Sequence, residues 1–303
     1  MQLHMEAIDF KPLEIQDKVV FNRFLRQDPP QISELTFTNL FMWRHRHQPS
    51  WLQWGNCLLI IFRPKEGAPF GLPPIGAGEK KKALDFLCRS LDALTHEVRV
   101  CRVDKAFVEK YVDTRLYGVN LDRDNSDYVY LTQDLINLSG RKYHRKKNHL
   151  NQFIKGYRFD YRPMDKDLVS SCLEMQESWC QMRECVEQPD LLSEDFAVHE
   201  ALTRFEDLDY QGGAIVIDSK VEAYALGEPL NRETAVIHIE KANPDIPGLY
   251  AVINQRFCSN VWADMTYINR EQDLGSDGLR KAKESYYPHH MVEKYTLTWL
   301  KKR

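Results

Sequence analysis

The sequence predicts an α/β protein made of two consecutive domains, each with a mixed sheet flanked by helices. Three observations lead to this fold class. The chain has 303 residues, a length that suggests about two domains. Runs with the two-residue period of strands alternate with runs of helical period. The order of these runs in the first half of the chain is repeated in the second half.

The first half is punctuated by proline and glycine. Pro29 and Pro30 end the first predicted helix, because proline cannot donate the helical hydrogen bond. Gly55 separates two short apolar runs, which is typical of a hairpin. In order, we predict a strand at 5–10, helices at 13–27 and 33–43, strands at 51–54 and 56–62, a helix at 79–94, a strand at 98–103, a helix at 105–111 and a strand at 128–131.

The second half has comparable signals. Ser193 is a plausible cap for one helix and Pro288 stops another. The predicted elements are a strand at 157–164, helices at 165–182 and 193–207, strands at 213–218, 221–226 and 234–241, a helix at 248–261, a strand at 264–269, a helix at 276–287 and a strand at 292–300. The second half therefore has the order β-α-α-β-β-β-α-β-α-β, and the first half has the same order with two central strands instead of three. We place the domains at 1–138 and 139–303.

Composition narrows the class of protein. With 41 Lys and Arg against 44 Asp and Glu, the net charge is −3, which excludes a uniformly cationic nucleic-acid binder. The longest apolar run, 57–62, is far shorter than the roughly 20 residues that span a bilayer. The first residues lack a signal-peptide pattern. Seven cysteines without a CxxC pair favour reduced thiols, no metal site and a cytoplasmic location.

Three segments of the second half carry a family resemblance. They read SGRKYHRKKNHLNQF (139–153), VIHIEKANPDIPGLYAVINQRF (236–257) and INREQDLGSDGLRKAKESYYP (268–288). With the predicted element order, they resemble a bacterial family of tandem-GNAT proteins similar to the C-terminal domain of phosphatidylglycerol lysyltransferases, and more distantly the Fem peptidyltransferases. The resemblance implies two GNAT-like domains and transfer of an aminoacyl group from aminoacyl-tRNA to a lipid or peptide.

The segment between the predicted strand 234–241 and the predicted helix 248–261 differs from the corresponding loop of acetyl-CoA-dependent GNAT enzymes. Those proteins usually carry a Q/R-x-x-G-x-G/A loop here, whereas this chain has Pro244 and Pro247 within 242–248. Proline has no N–H to offer a pyrophosphate. We therefore expect no cofactor to be required, with aminoacyl-tRNA as donor, and keep acetyl-CoA or another acyl-CoA as the alternative.

A basic run occupies residues 139–158, which hold seven Lys or Arg and no acid. Gly140 and Gly156 delimit a predicted helix at 140–155 that opens the second domain. One face has Tyr143, Leu150 and neighbouring residues at helical spacing and should pack inward. The other face could follow the phosphates of a tRNA acceptor stem, although a solvated linker helix is an equal alternative. The candidate nucleic-acid-binding residues are Arg141, Lys142, Arg145, Lys146 and Lys155.

The predicted strand 234–241 carries two proton-transfer groups. His238 and Glu240 are two residues apart, so regular alternation places them on one face of the strand. Acyl transfer needs a base for the acceptor's proton and a group for the developing oxyanion. We therefore take His238 and Glu240 as candidate catalytic residues, and a hydrogen-bonded pair without chemistry as the alternative.

The polar run 269–273 lies between a strand and a helix. Glu271 and Asp273 could hold the α-ammonium of an aminoacyl donor, or could simply favour the start of the helix. Asp273 joins the candidate catalytic residues. The candidate substrate-binding residues are Asn269, Glu271, Arg280, Lys281 and Lys283, with the three cations expected to meet phosphates.

Together these features predict an aminoacyltransferase-like enzyme whose second domain is catalytic. The acceptor, an unknown lipid, peptide or amine, would attack the donor ester directly, without a covalent enzyme intermediate or a metal. The alternatives are a CoA-dependent N-acyltransferase and a non-catalytic RNA- or partner-binding module on a degenerate GNAT scaffold. The expected partners are tRNA and the acceptor, and a peripheral membrane contact is left open.

Overall fold

The computed structural model describes residues 9–300. The strands are β1 Lys11–Pro12, β2 Pro49–Trp54, β3 Cys57–Phe62, β4 Phe70–Gly71, β5 Arg99–Asp104, β6 Tyr117–Leu121, β7 Asp127–Leu131, β8 Phe159–Pro163, β9 Gln211–Ile217, β10 Lys220–Pro229, β11 Thr234–Ala242, β12 Tyr267–Asn269, β13 His290–Val292 and β14 Lys294–Trp299. The α-helices are α1 Lys18–Gln27, α2 Phe37–Met42, α3 Arg44–His47, α4 Lys80–Asp92, α5 Lys105–Tyr111, α6 Thr132–Asn137, α7 His144–Gly156, α8 Lys166–Met182, α9 Pro189–Thr203, α10 Leu249–Val261 and α11 Asp277–Glu284.

The chain divides into two compact units. Unit 1 comprises the chain up to Pro29, Trp43–Asp122 and the chain from Glu293. Its seven-stranded sheet has the order β1-β2-β3-β4-β5-β14-β6. Helix α4 buries Leu84, Leu87 and Leu91 in the core of this unit, as their helical spacing predicts.

Unit 2 comprises Pro30–Met42 and Arg123–Val292. Its sheet also has seven strands, in the order β13-β7-β12-β11-β10-β9-β8. The core includes Ile237 of β11 together with Val252 and Phe257 of α10. From β8 to β13 the chain follows the predicted order of one strand, two helices, three strands, a helix, a strand, a helix and a strand.

These units differ from the predicted consecutive halves 1–138 and 139–303. Strand β7, predicted as the last strand of the first half, pairs with β12 and β13 in the sheet of unit 2. Strand β14, inside the predicted strand 292–300, pairs with β5 and β6 in unit 1. The period of a sequence indicates that a strand forms, whereas its sheet is set by pairing with distant strands.

The fold class is confirmed: each unit is a mixed sheet flanked by helices. The predicted strand 5–10 falls mostly on residues 5–8, outside the described residues. Within 9–300, no helix is both long and apolar enough to cross a membrane. The expectation of reduced thiols is wrong for two cysteines, because Cys180 and Cys185 form a disulfide. Their spacing in the sequence carries no established pairing signature.

Candidate functional site

The sheet of unit 2 opens between two neighbouring parallel strands. Strands β11 and β12 pair only from Thr234 opposite Tyr267 to Val236 opposite Asn269. Beyond this point β11 continues to Ala242, while the chain after β12 turns away into a loop. The second half of β11 therefore has no strand partner on this side, and the residues that follow β12 lie beside it.

A β-bulge in β11 decides which side chains face which side of this opening. The register with β10 shifts between Leu226 and Gly227, which leaves His238 without an opposite residue on β10. Ile237 packs in the core with α10, and beyond the bulge Glu240 points to the same helix. His238 lies on the other face. The prediction that His238 and Glu240 share a face is therefore wrong, because a bulge interrupts the strict alternation of a strand.

His238 lies between two carboxylates. Its Nδ1 is 2.8 Å from Glu271 Oε1 and its Nε2 is 2.9 Å from Glu228 Oε1, and only 1% of its side chain is exposed. Burial lowers the pKa of His238, but the hydrogen bonds and charges of the two carboxylates outweigh this effect and raise it to about 9. The imidazole is thus protonated at neutral pH and donates to both carboxylates. We call Glu228, His238 and Glu271 the acidic cluster, with a net charge of −1.

The segment Pro30–Met42 contributes further polar groups to this face. Thr36 Oγ1 is 3.4 Å from His238 Nε2, and Asn39 Nδ2 donates to Glu271 Oε1 at 3.2 Å. Asn269 is fully buried; its Nδ2 donates to Asp127 at 3.0 Å and its Oδ1 accepts from the Glu271 N–H at 2.8 Å. Asn269 therefore positions Glu271.

Glu240 lies on the opposite face and is held from two sides. Arg270 Nη2 donates to Glu240 Oε1 at 2.8 Å, and Asn254 Nδ2 of α10 donates to Oε2 at 2.9 Å. The guanidinium of Arg270 stacks 4.8 Å from the ring centroid of Tyr286 and 5.7 Å from that of Tyr130. Both oxygens of Glu240 are occupied, which favours a role in holding Arg270.

Two lysines lie near Arg270, and Lys283 also interacts electrostatically with Glu271. Lys146 Nζ is 4.1 Å from the centroid of the Tyr286 ring, and Lys283 Nζ donates to the Arg270 carbonyl. Burial, followed by the positive charge of Arg270, lowers the pKa of each lysine to about 8. We call Lys146, Arg270 and Lys283 the basic cluster. Its lysines are partly neutral slightly above pH 7.

Asp273 organises the loop after β12. Its side chain is fully buried and accepts hydrogen bonds from Tyr128 at 2.6 Å, Arg280 at 2.9 and 3.0 Å, Arg123 at 3.2 Å and the Gly275 N–H at 2.9 Å. Burial raises the pKa of Asp273, but these donors outweigh it and hold the pKa well below its usual range. The bonds favour a positioning role over the predicted catalytic one.

The remaining predicted cations lie elsewhere. Arg280 also binds Asp124 at 2.7 Å, so two carboxylates occupy the group that was expected to meet phosphates. Lys281 is exposed on α11. Of the eight predicted catalytic and substrate-binding residues, the opening brings together His238 and Glu271 on one face and Glu240 on the other, and Lys283 lies near both Glu271 and Glu240.

Helix α7 confirms the predicted basic helix. A short 3-10 turn, Arg141–Tyr143, precedes it, and Tyr143, Leu150 and Phe153 form its buried face. Tyr143 Oη donates to the Tyr286 carbonyl at 3.0 Å, which ties the helix to the basic cluster. Four of the five candidate nucleic-acid-binding residues are exposed, namely Arg141, Lys142, Arg145 and Lys155, while Lys146 belongs to the basic cluster.

Backbone N–H groups of the loop between β11 and α10 already donate hydrogen bonds within the protein. The Asn243 N–H donates to the Glu222 carbonyl, the Asp245 N–H to Asn243 Oδ1, and the Ile246 N–H to the Asn243 carbonyl. Gly248 has φ +87°, and a Cβ there would lie 2.7 Å from the carbonyl oxygen of a residue in α7. The first turn of α10 is therefore closely covered and offers few donors to a pyrophosphate.

Sequence reasoning missed Glu228, Thr36, Asn39, Asn254 and Arg270. Glu228 becomes a candidate only when the register of β10 against β11 is known, since it lies opposite Val236 and ten positions before His238. Arg270 stood inside the quoted motif 268–288, and its position next to Glu271 was an available signal.

Comparisons with known proteins agree with this architecture. Residues 26–298 match the family of the phosphatidylglycerol lysyltransferase C-terminal domain. A conserved protein of unknown function from Bacteroides thetaiotaomicron has 33% identity and a TM-score of 0.90, over 97% of this chain and 100% of that one. L-PGS from Bacillus licheniformis has 16% identity and a TM-score of 0.66, over 98% and 95% of the two chains.

A curated relative is more distant. An uncharacterized protein of Mycoplasmoides gallisepticum is 24% identical over 183 residues, which are 59% of this chain and 58% of the relative's own length. The match to L-PGS supports the fold alone. The match over residues 26–298 and the Bacteroides structure show that the chain belongs to the family of the phosphatidylglycerol lysyltransferase C-terminal domain.

Proposed function

We propose that this protein transfers an aminoacyl group from aminoacyl-tRNA to a lipid, peptide or amine acceptor. One observation carries the proposal: the opening beside β11 has the acidic cluster on one face and the basic cluster on the other. An aminoacyl-tRNA end has the matching chemistry, because it joins a cationic α-amino group to an anionic phosphate backbone.

The acidic cluster would hold the α-ammonium group of the donor. Its net charge of −1 attracts a cation, and Glu271 keeps 17% of its side chain exposed, so one of its oxygens can meet a ligand. His238 keeps the two carboxylates together without acting as a base, because it is already protonated at neutral pH.

The basic cluster would act on the donor ester by stabilising negative charge and by accepting a proton. Arg270 is a fixed donor for the charge that develops on the carbonyl oxygen during attack. Lys146 and Lys283, with pKa values lowered to about 8, are suited to accept the proton that the attacking group loses. The acceptor attacks the ester carbonyl, and the tRNA 3′-terminal oxygen leaves.

The exposed face of α7 would follow the acceptor stem. Reversing Arg141 and Arg145 to Glu should weaken tRNA binding and flatten its salt dependence, since each lost phosphate contact lowers the salt slope by about one. A matched control reverses Lys220, at the start of β10, and Arg232, in the loop before β11, which are both exposed in the same unit. Equal tRNA affinity in both double variants, measured by filter binding at several salt concentrations, would remove α7 from the binding surface.

The function itself is tested by incubating the protein with pools of charged tRNA and bacterial lipid, peptide and amine fractions. We expect one amino acid to be lost from tRNA and to reappear in one acceptor fraction. Stabilisation of the fold by acetyl-CoA but not by aminoacyl-tRNA, in a thermal-shift assay, would favour the acyl-CoA alternative. Binding of tRNA without any loss of amino acid would favour a non-catalytic RNA-binding module.

A further inference from the structure

The turn between α8 and α9 carries the disulfide Cys180–Cys185. The other five cysteines, all within the described residues, are free, and four of them are buried. The disulfide connects the last turn of α8 to the short 3-10 helix Cys185–Glu187. The proposed transfer reaction uses neither of these two cysteines.

Backbone hydrogen bonds lie within and beside the loop 180–185 that the disulfide closes. The Glu184 N–H donates to the Gln181 carbonyl, and the Gln188 N–H donates to the Cys185 carbonyl. Glu184 has a φ of +51°, in the left-handed region that side chains other than glycine rarely adopt. The disulfide thus holds a turn whose backbone would relax if the two sulfurs separated.

The residue next to Cys180 connects this loop to the end of β11. Trp179 Nε1 donates to the hydroxyl of Tyr250, in the first turn of α10, at 3.2 Å. Lys241 Nζ lies 3.6 Å from the centroid of the Trp179 ring and 2.7 Å from Glu194 Oε2. A change in the loop would therefore be transmitted to side chains at the end of β11.

The disulfide lines a cavity of about 460 Å³ that is strongly acidic. Val186 and Leu192 contribute apolar surface, and Arg183 is the cation of the loop, exposed beside Trp179. The carboxylates that line the cavity are Glu177, Glu184, Glu187 and Asp195. An anionic thiolate that approaches the sulfurs must therefore enter a field of like charge.

We propose that Cys180–Cys185 is a reversible thiol–disulfide exchange site that reacts with uncharged or cationic thiols and discriminates against anionic ones. Cys185 is 2% exposed and Cys180 is the more accessible, so the thiolate of a dithiol attacks Cys180 Sγ. The S–S bond breaks and Cys185 leaves as a thiolate that takes up a proton. The second thiol of the reductant then attacks the mixed disulfide, frees Cys180 as a thiol, and leaves the reductant as its own disulfide.

The first test counts thiols in the full chain, denatured without reductant. We expect five reactive thiols, rising to seven after reduction, and seven at the outset would overturn the proposal.

The second test compares the rates of reduction by cysteamine, 2-mercaptoethanol and 3-mercaptopropionate, each corrected for its thiolate fraction. The cationic thiol should react about tenfold faster than the anionic one at low salt, and 1 M NaCl should shrink the ratio.

A charge variant and a control assign this selectivity to the cavity. Glu184→Gln should reduce the rate ratio, whereas Glu233→Gln, an exposed acid away from the cavity lining, should leave it unchanged. Equal rates for all three thiols in the native protein would overturn the electrostatic part of the proposal.

Hydrogen exchange tests whether the disulfide holds the turn between α8 and α9 in place. Reduction should speed exchange at least about tenfold at amides 179–188 and leave α4 of unit 1 unchanged. The variant Cys180→Ser/Cys185→Ser should match the reduced form, and if it does not fold, the reduced wild-type protein provides the comparison. Identical exchange in the oxidised and reduced forms would show that the disulfide does not hold this turn. These readouts do not depend on the proposed transfer activity, so either idea can fail alone.

Discussion

The two faces of β11 hold the same kinds of residue in opposite electrostatic settings. On one face the cation His238 is outnumbered by two carboxylates, and its pKa rises to about 9. On the other face the carboxylate Glu240 lies among three cations, and burial, followed by the positive charge of Arg270, lowers the pKa values of Lys146 and Lys283 to about 8. A single bulge at His238 separates these environments by sending Glu240 to the side of α10.

This difference shows how one bulge gives the two faces of a strand opposite charge. A regular strand would have placed His238 beside Glu240 as a neutral pair with little preference for either charge. The bulge instead lets one strand carry the acidic cluster on one face and Glu240 with Arg270 on the other, which is the arrangement that the proposed aminoacyl-tRNA donor would use.

The largest effect should come from breaking the balance on the α10 face. Arg270→Leu leaves Glu240 buried without its partner and should lower the free energy of unfolding by about 3–5 kcal/mol. The exposed pair Lys166–Glu206 provides a control, since Lys166→Leu should change it by less than about 1 kcal/mol. Urea unfolding of both variants checks this, and similar losses would show that the Glu240–Arg270 pair is not buried in solution.

The next effect is a pH dependence from the acidic cluster. The pKa of His238 is about 9 in the folded protein, above the ordinary value of about 6.5. Its stabilisation is therefore complete below pH 6.5 and is lost as pH rises through 9, by about 3 kcal/mol in total. The difference in unfolding free energy between wild type and His238→Gln should shrink over this window. A difference that stays constant from pH 6 to 9 would contradict the charged state of His238.

The smallest effect has the opposite sign and belongs to the basic cluster. The pKa of Lys146 is about 8 when folded, below its ordinary value of about 10.5. The unfolded chain binds more protons between these values, so stability should rise with pH from 8 to 10.5. Lys146→Met should remove a rise of about 1 kcal/mol or less, whereas the exposed neighbour Lys147→Met should keep it. If the increase in the free energy of unfolding between pH 8 and 10.5 is lost in both variants, it does not come from the titration of Lys146.

Much of the fold could be predicted because its signals are local. Helix α5 has the predicted bounds 105–111, and α4 buries the predicted apolar face. The exchange of β7 and β14 between the two sheets could not be predicted, because strand pairing depends on residues more than a hundred positions apart. Strand β6 at Tyr117–Leu121 was also missed, since its exposed residues show little alternation.

The candidate site divides in the same way. Glu271 and Lys283 were found because they stand in one polar motif. The partners Thr36 and Asn39 were not, because they approach Glu271 and His238 from a segment some 200 positions earlier in the chain. The bulge at His238 has no signature in the sequence, so the faces of His238 and Glu240 could be assigned only from the register.

The most direct measurement of the central claim compares two donors that differ at the α-amino group, which is cationic in one and a neutral acetamide in the other. The rate of amino-acid loss from aminoacyl-tRNA is measured beside that from its N-acetylated form, with wild type and with Glu271→Gln. The wild-type protein should prefer the free amino donor by about tenfold or more, as a charge-assisted bond to a carboxylate provides. Glu271→Gln should lose most of that preference. Equal rates for the two donors in the wild-type protein would contradict the role of the acidic cluster.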